Sequence, residues 1–335
     1  MNAALSFTDR YHSIRFKRSL RIFNKQQVNI AVTILLCLVF TFNAWAQTNK
    51  ELNKPELFIK SFFTMPSLSM SINSQPIEPV WLDPNRIWSM GMGVDWRSLS
   101  ASFAVRTPAQ VNDVSLFGET DYFDFQLQLY RKQWNVDSFF QSYQGFFLRD
   151  LSIGCVRGAA CSLRPELRIQ HAGILLHYII DPHWSMQAAF SPPAQPILSA
   201  GSWFVSAGFD RLKLSNNSSL VDGLEPRING GRFSIASIAP GYGYTWVKQK
   251  WAMSSALYMG GGLMAASYYN TQETDTTNIE RKLALKAGAK LALAYGGNTR
   301  QAGVRYFTDT TVTRIKGIDL NWISQSIELY LGRRF

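Results

Sequence analysis

The last thirteen residues, "ISQSIELYLGRRF" (Ile323–Phe335), decide how the rest of the chain is read. Taken in twos, Ile323, Ile327, Leu329, Leu331 and Phe335 fall on one parity, and Ser324, Ser326, Glu328, Gly332 and Arg334 on the other. That is a strand with one apolar and one polar face. It runs to the final residue, and chain ends fray unless something ties them down. A closed barrel does so, because its last strand pairs with its first and leaves no free edge.

The same alternation recurs upstream. In "IWSMGMGVDW", Trp88, Met90, Met92, Val94 and Trp96 alternate with Ser89, Gly91, Gly93 and Asp95. After a tight turn, Leu99, Ala101, Phe103 and Val105 alternate with Ser100, Ser102 and Arg106. In "YFDFQLQLYR", Phe123, Phe125, Leu127 and Leu129 oppose Asp124, Gln126 and Gln128. Further strands are expected in "NVDSFFQSYQGFF" and at 167–181, 183–190, 199–214, 232–248, 251–269, 280–296, 299–308 and 320–335. Many exceed the roughly 5–6 residues of a globular strand and match the roughly 9–11 of a tilted membrane-spanning one. "SPPAQP" must be a connection, since proline cannot donate to a central ladder.

A soluble β-sandwich is the competing architecture. Three features favour a membrane barrel: strand length, short turns alternating with longer loops, and tryptophans near strand ends, as interfacial girdles require. The sequence therefore predicts an all-β, transmembrane antiparallel up-and-down β-barrel of about twelve strands over residues 86–335. Residues 47–85 become an N-terminal periplasmic lead, a plug or a first strand. "ELFIKSFF" and "SLSMSINS" also alternate, and if both are strands the count rises to about fourteen. The two counts swap the side on which several loops lie.

The other end of the chain fits export. Arg10, Arg15, Lys17, Arg18, Arg21 and Lys25 precede the uncharged apolar run "VNIAVTILLCLVFTF", and Ala44 and Ala46 form a small-x-small site. Residues 1–46 read as a secretory signal peptide cleaved near Ala46. The run is short for a membrane anchor of roughly 20 residues, and Leu36 before Cys37 argues against lipidation. The leader holds six basic residues and one acidic one, so five units of the net charge of +11 belong to it. The remaining charge is weak ground for a nucleic-acid partner, and none is expected. Cys155 and Cys161, in "IGCVRGAACSL", are candidates for a loop disulfide in an oxidising compartment, with free thiols as the alternative.

The stretches "NKPELFIKSFF", "WLDPNRIWSMGMGVDW", "YFDFQLQLYRKQWNVDSFFQSYQGFF" and "SAGSWFVSAGF" resemble the DUF4421 family of exported Bacteroidetes proteins, grouped with outer-membrane β-barrels. The resemblance covers roughly residues 54–335. It implies outer-membrane location and barrel architecture, but no activity and no catalytic residue. The terminal strand likewise looks like the C-terminal assembly signal of bacterial outer-membrane proteins. Phe335 is its candidate recognition residue, Leu331, Leu329 and Ile327 fit its apolar positions, and Arg333 departs from it.

Motifs for chemistry are sparse. No Walker loop, H-E-x-x-H, G-x-S-x-G or calcium loop stands in the exported part. His171 and His177 share a parity about 20 Å apart along one strand, too far to chelate one ion. No metal site, cofactor or catalytic residue is assigned. What remains is the inward parity: Asp95, Arg106, Asp124, Gln126, Gln128, Lys282, Lys286, Lys290 and Glu328 are candidate lumen-lining residues. They either cross-link a packed interior or line a path for a small polar or anionic solute. The lysine row of the set should find acidic neighbours such as Asp124 or Glu328. The leading functional expectation is a structural or porin-like narrow-channel protein of the outer membrane. A membrane lipid hydrolase or acyltransferase and an anchoring subunit of an envelope complex are the alternatives. The expected partners are outer-membrane lipid and the outer-membrane assembly machinery.

Overall fold

The computed structural model describes residues 57–74, 77–110, 114–150, 162–191, 198–217, 220, 228–270, 279–296, 299–315 and 317–335. The signal-peptide reading and the Cys155–Cys161 pair fall outside these residues. Thirteen antiparallel strands form one sheet: β1 (Leu57–Ser74), β2 (Ile77–Asp83), β3 (Ile87–Trp96), β4 (Leu99–Gln110), β5 (Asp121–Tyr130), β6 (Trp134–Asp150), β7 (Ser162–Ile179), β8 (Ala200–Ser215), β9 (Ile228–Lys248), β10 (Trp251–Asn270), β11 (Glu280–Gly296), β12 (Arg300–Ile315) and β13 (Ile318–Arg334). Two short helices join them, α1 (Val114–Phe117) and α2 (Met186–Phe190).

The sheet closes on itself. β13 pairs with β1 from Phe58↔Arg334 to Asn73↔Asp319. The Phe335 amide adds a hydrogen bond to the Leu57 carbonyl at 2.8 Å, so the terminal strand is paired to its last residue. Two-residue hairpins turn at the chain-terminus end. Arg97 (φ 54°) and Gln249 (φ 56°) take the left-handed conformation that such tight turns demand.

The ring changes composition with height. Near the chain termini it contains β1, β3, β4, β5 and β6–β13, twelve strands in all. Toward the other end β2 replaces the β3–β5 group, pairing with β1 on one side (Met70↔Leu82) and β6 on the other (Asp83↔Phe147), which leaves ten. At this branch β1 pairs with neither β2 nor β3 between Thr64 and Met70. Pro66 falls in that gap, where a strand tolerates proline. Gly145 makes the turn in β6 with φ 90°, and a Cβ there would collide with the Glu119 carbonyl. Thr120 ties the branch together: its hydroxyl donates to the Gly145 carbonyl at 2.6 Å and accepts from the Asn85 amide at 2.8 Å.

Two expectations are corrected. Of the readings for residues 47–85, the first strand is the one found: β1 runs Leu57–Ser74, so the wall starts before Arg86, and "LFIKSFF" and "SLSMSINS" lie in that single strand and not in two. Residues 183–190 are not a strand. Ser185 caps α2 by accepting from the Ala188 amide, and Met186, Ala189 and Phe190 are buried at helical spacing.

Outward and inward faces separate on the long strands. On β11, Leu283 and Leu285 are 78% and 65% exposed, whereas Ala284 and Lys286 are 3% and 2% exposed. Outward aromatics gather at the chain-terminus end, where Trp134 packs on Tyr178 and Trp251 on Tyr295, with centroids 4.6 and 4.7 Å apart.

Candidate functional site

The inward side chains form three levels. β8 shows the order from the chain-terminus end: Phe204, Ser206, Asp210, Leu212 and Leu214 are all buried. On β11 the same sequence of levels runs Ala292, Lys290, Lys286, Ala284. A charged layer therefore lies between two apolar ones.

The apolar layer at the loop end is a single cluster fed from around the ring, including Leu68 and Met70 of β1, Leu212 of β8, Phe233 of β9 and Trp322 of β13. Phe233 and Trp322 meet with centroids 6.1 Å apart although their strands are not neighbours, so the cluster crosses the lumen. At the opposite end α2 and its flanks fill the interior. Trp184 stacks on Phe204 and donates its indole N–H to Thr245 Oγ1 at 3.0 Å. Ser191 Oγ donates to Asp95 Oδ1 at 3.2 Å, and Arg305 donates to the Phe190 carbonyl at 2.8 Å. The segment thus touches β8 and β9 on one side and β3 and β12 on the other.

The middle layer is a set of ion pairs. Lys286 Nζ donates to Asp210 and lies 3.1 Å from Asp309, which also accepts from the Tyr258 hydroxyl. Lys290 donates to Asp137, across the barrel from β11 to β6. Arg305 pairs with Glu328, and Lys60 Nζ is 3.6 Å from the same carboxylate. Ser324 Oγ donates to Gln141 Oε1 at 3.0 Å, another contact between strands that do not adjoin. Burial of charge is costly unless the ions are paired, and these contacts give Lys286, Lys290, Arg305 and Lys60 each a carboxylate.

Each lumen candidate can now be placed. Asp95, Asp124, Lys286 and Glu328 are buried inside, and Gln126, Gln128 and Lys290 are half-buried. Arg106 sits at the branch, bound to Glu119 and Asp121. Lys282 shares the parity of Lys286 but is exposed, 3.7 Å from Glu280. The acidic neighbours expected for the lysines, Asp124 and Glu328, are not the ones found. Asp210, Asp309 and Asp137 take those places, because the ring carries β6 and β8 opposite β11. Asp124 instead receives Gln141 and Gln126.

Sequence reading also missed Lys60, Asp137, Asp210 and Arg305. Asp210 and Arg305 had the parity signal, but Lys60 lay in a segment not assigned to the wall. His177 joins the layer too: Nδ1 lies 2.7 Å from Ser206 Oγ and Nε2 3.3 Å from Asp137 Oδ2. This is the order of groups in a serine hydrolase. Yet Ser206 and His177 are 3% and 0% exposed. A cavity of about 120 Å³ lies nearby, bounded by Gln126, Asp137, His171, Tyr258, Lys290 and Asp309, and neither Ser206 nor His177 lines it. Among the described residues no group of three His, Cys, Asp or Glu side chains could hold a metal ion.

Residues 50–335 match the family model described as a domain of unknown function (DUF4421). No curated protein matches the chain. Among solved structures, the outer-membrane protease OmpT from Escherichia coli aligns at 6% identity and a TM-score of 0.39, over 86% of this chain and 100% of its own. The β-domain of the Bordetella autotransporter BrkA aligns at 11% identity and a TM-score of 0.35, over 84% and 99%. The P. putida toluene transporter TodX aligns at 7% identity and a TM-score of 0.25, over 84% and 90%.

Proposed function

The chain belongs to the DUF4421 family, and within that family we propose that it is an outer-membrane β-barrel with a closed interior, a structural wall element that anchors envelope components. The observation that carries this reading is the cross-barrel packing at three successive levels. Phe233 meets Trp322 at one, Lys290 meets Asp137 at the next, and α2 bridges the ring at the third. Twelve strands enclose more space than the eight that wall side chains just fill, and here side chains and α2 cross that space at three levels, around a cavity of about 120 Å³. The membrane location is supported by the outward apolar faces of β3, β4 and β8–β13 and by the aromatic residues at one rim.

A narrow channel is the weaker reading. The two inward lysines that would draw an anion are neutralised by Asp210, Asp309 and Asp137. A hydrolase finds its three groups in Ser206, His177 and Asp137, but Ser206 is buried and does not line the cavity of about 120 Å³ bounded by Asp137 and His171.

The test pairs fractionation with planar-bilayer recording. The protein should fractionate with the outer membrane, run as a heat-modifiable band, and give no steady conductance when reconstituted. Recovery as a soluble periplasmic species overturns the location. Stable ohmic steps from pure, folded barrel overturn the closed interior.

A further inference from the structure

The outward face changes character at one level on three strands of one stretch of wall, β8, β9 and β11. On β8 the outward residues run Trp203, Val205, Ala207, Phe209 and then Arg211 and Lys213. On β9 they run Tyr242, Pro240, Ile238, Ala236, Ser234 and then Arg232. On β11, Ala287, Leu285 and Leu283 give way to Arg281. The register brings these cations together. Lys213 lies directly opposite Arg232. Arg232 faces Ser267 of β10, and Arg281 faces Ala265 two residues along the same strand.

Like charges placed directly opposite on adjacent strands destabilise a sheet. Arg211, Lys213, Arg232 and Arg281 nevertheless form no ion pair or hydrogen bond among the described residues. Arg211, Arg232 and Arg281 are exposed and Lys213 is half-buried. The height of the patch is informative. Trp203 and Lys213 are ten residues apart, about 33 Å along the strand, or about 25 Å along the axis at a tilt of roughly 40°. That equals the apolar band of a membrane barrel, roughly 25 Å tall. The cations therefore sit where the hydrocarbon ends, at the rim opposite the chain termini.

We propose that Arg211, Lys213, Arg232 and Arg281 form a binding site for the phosphorylated headgroup of an outer-leaflet lipid, with its acyl chains lying on Phe209, Ile238 and Leu283 beneath. Phosphate supplies a counter-charge that no described residue gives these cations, and arginine binds it in a two-pronged manner. The apolar strip directly below distinguishes a lipid from free phosphate as the source. The inference rests on the outer-membrane reading, but it fails separately from it. Fractionation tests the location, and lipid retention by barrel already shown to be folded tests the site.

The experiment measures retention of bisphosphorylated lipid A, of fully dephosphorylated lipid A and of inorganic phosphate by detergent-purified barrel, using native mass spectrometry. The expected result is retention of the bisphosphorylated form about ten-fold above the dephosphorylated form, the factor that one charge-assisted hydrogen bond supplies. The triple variant R211Q/K213Q/R232Q should lose that preference. If the triple variant does not fold, K213Q alone should lower the preference about three-fold. Equal retention of the two lipids by the native barrel overturns the site, as does an unchanged preference in the folded variant. Retention of inorganic phosphate as strong as that of the lipid reduces the patch to an adventitious anion site and also overturns it.

Discussion

Replacing Lys286 by Met probes the charged layer most directly. The Lys286 side chain is 2% exposed and that of Asp210 is 1% exposed, while Asp309 at 3.1 Å retains 21%. Removing the cation leaves the Asp210 carboxylate buried with no counter-charge, a change that typically costs about 3–5 kcal/mol. Asp210→Asn is the milder cut. Lys286 keeps Asp309, and the loss is one charge-assisted hydrogen bond, about 1.5–3 kcal/mol. The double variant Lys286→Met, Asp210→Leu removes both ions. Asp309 still holds the Tyr258 hydroxyl at 2.5 Å. It should therefore recover about 1 kcal/mol or more relative to Lys286→Met alone. The assay is urea unfolding in lipid followed by tryptophan fluorescence, with heat-modifiable migration as the check on folding. A Lys286→Met cost below about 1 kcal/mol, the value of an exposed pair, would refute the buried layer. So would a double variant as unstable as the two single losses added together.

Three further expectations follow from the packing. Trp184→Ala should destabilise the barrel by about 3–5 kcal/mol, seen in the same unfolding assay, yet bilayer recordings should stay silent because the charged and apolar layers above remain. Gly145→Ala places a Cβ against the Glu119 carbonyl at φ 90°. It should cost more than about 1 kcal/mol, and thermolysin should then cut between residues 111 and 120 faster than in the parent. Cysteine placed at Lys286 should resist a membrane-impermeant thiol reagent in lipid because the interior is packed, and cysteine at Leu285 should resist it because lipid covers that face. Rapid labelling at 286 would show an open, wet lumen.

Face assignment was legible in the sequence because a strand carries its own period. The parity of Leu283, Leu285 and Lys286 places the first two outward and the third inward, as found. Partners were not legible. Lys290 and Asp137 stand 153 positions apart, and only the order of strands around the ring brings them together. β1 was obscured by Pro66, which interrupts the alternation where the ladder has a gap. The stretch 183–190 misled for a different reason: over eight residues, His183, Ser185 and Gln187 alternate with Trp184 and Met186 as a strand would. The helical spacing of Met186, Ala189 and Phe190, together with the capping serine, was the better signal.

The loss of two strands partway up the wall makes the barrel a funnel. At about 4.8 Å per strand, the ring shrinks by roughly 10 Å in circumference and, allowing for tilt, by about 2 Å in radius. At the narrow mouth, wall side chains reach one another unaided, as Phe233 and Trp322 do. The wide mouth is too broad for that, and it is there that the chain folds α2 inward. α2 is therefore a stopper seated in the broad end of a cone. It cannot be driven through toward the loop end, and any release must return it to the side on which the chain begins and ends.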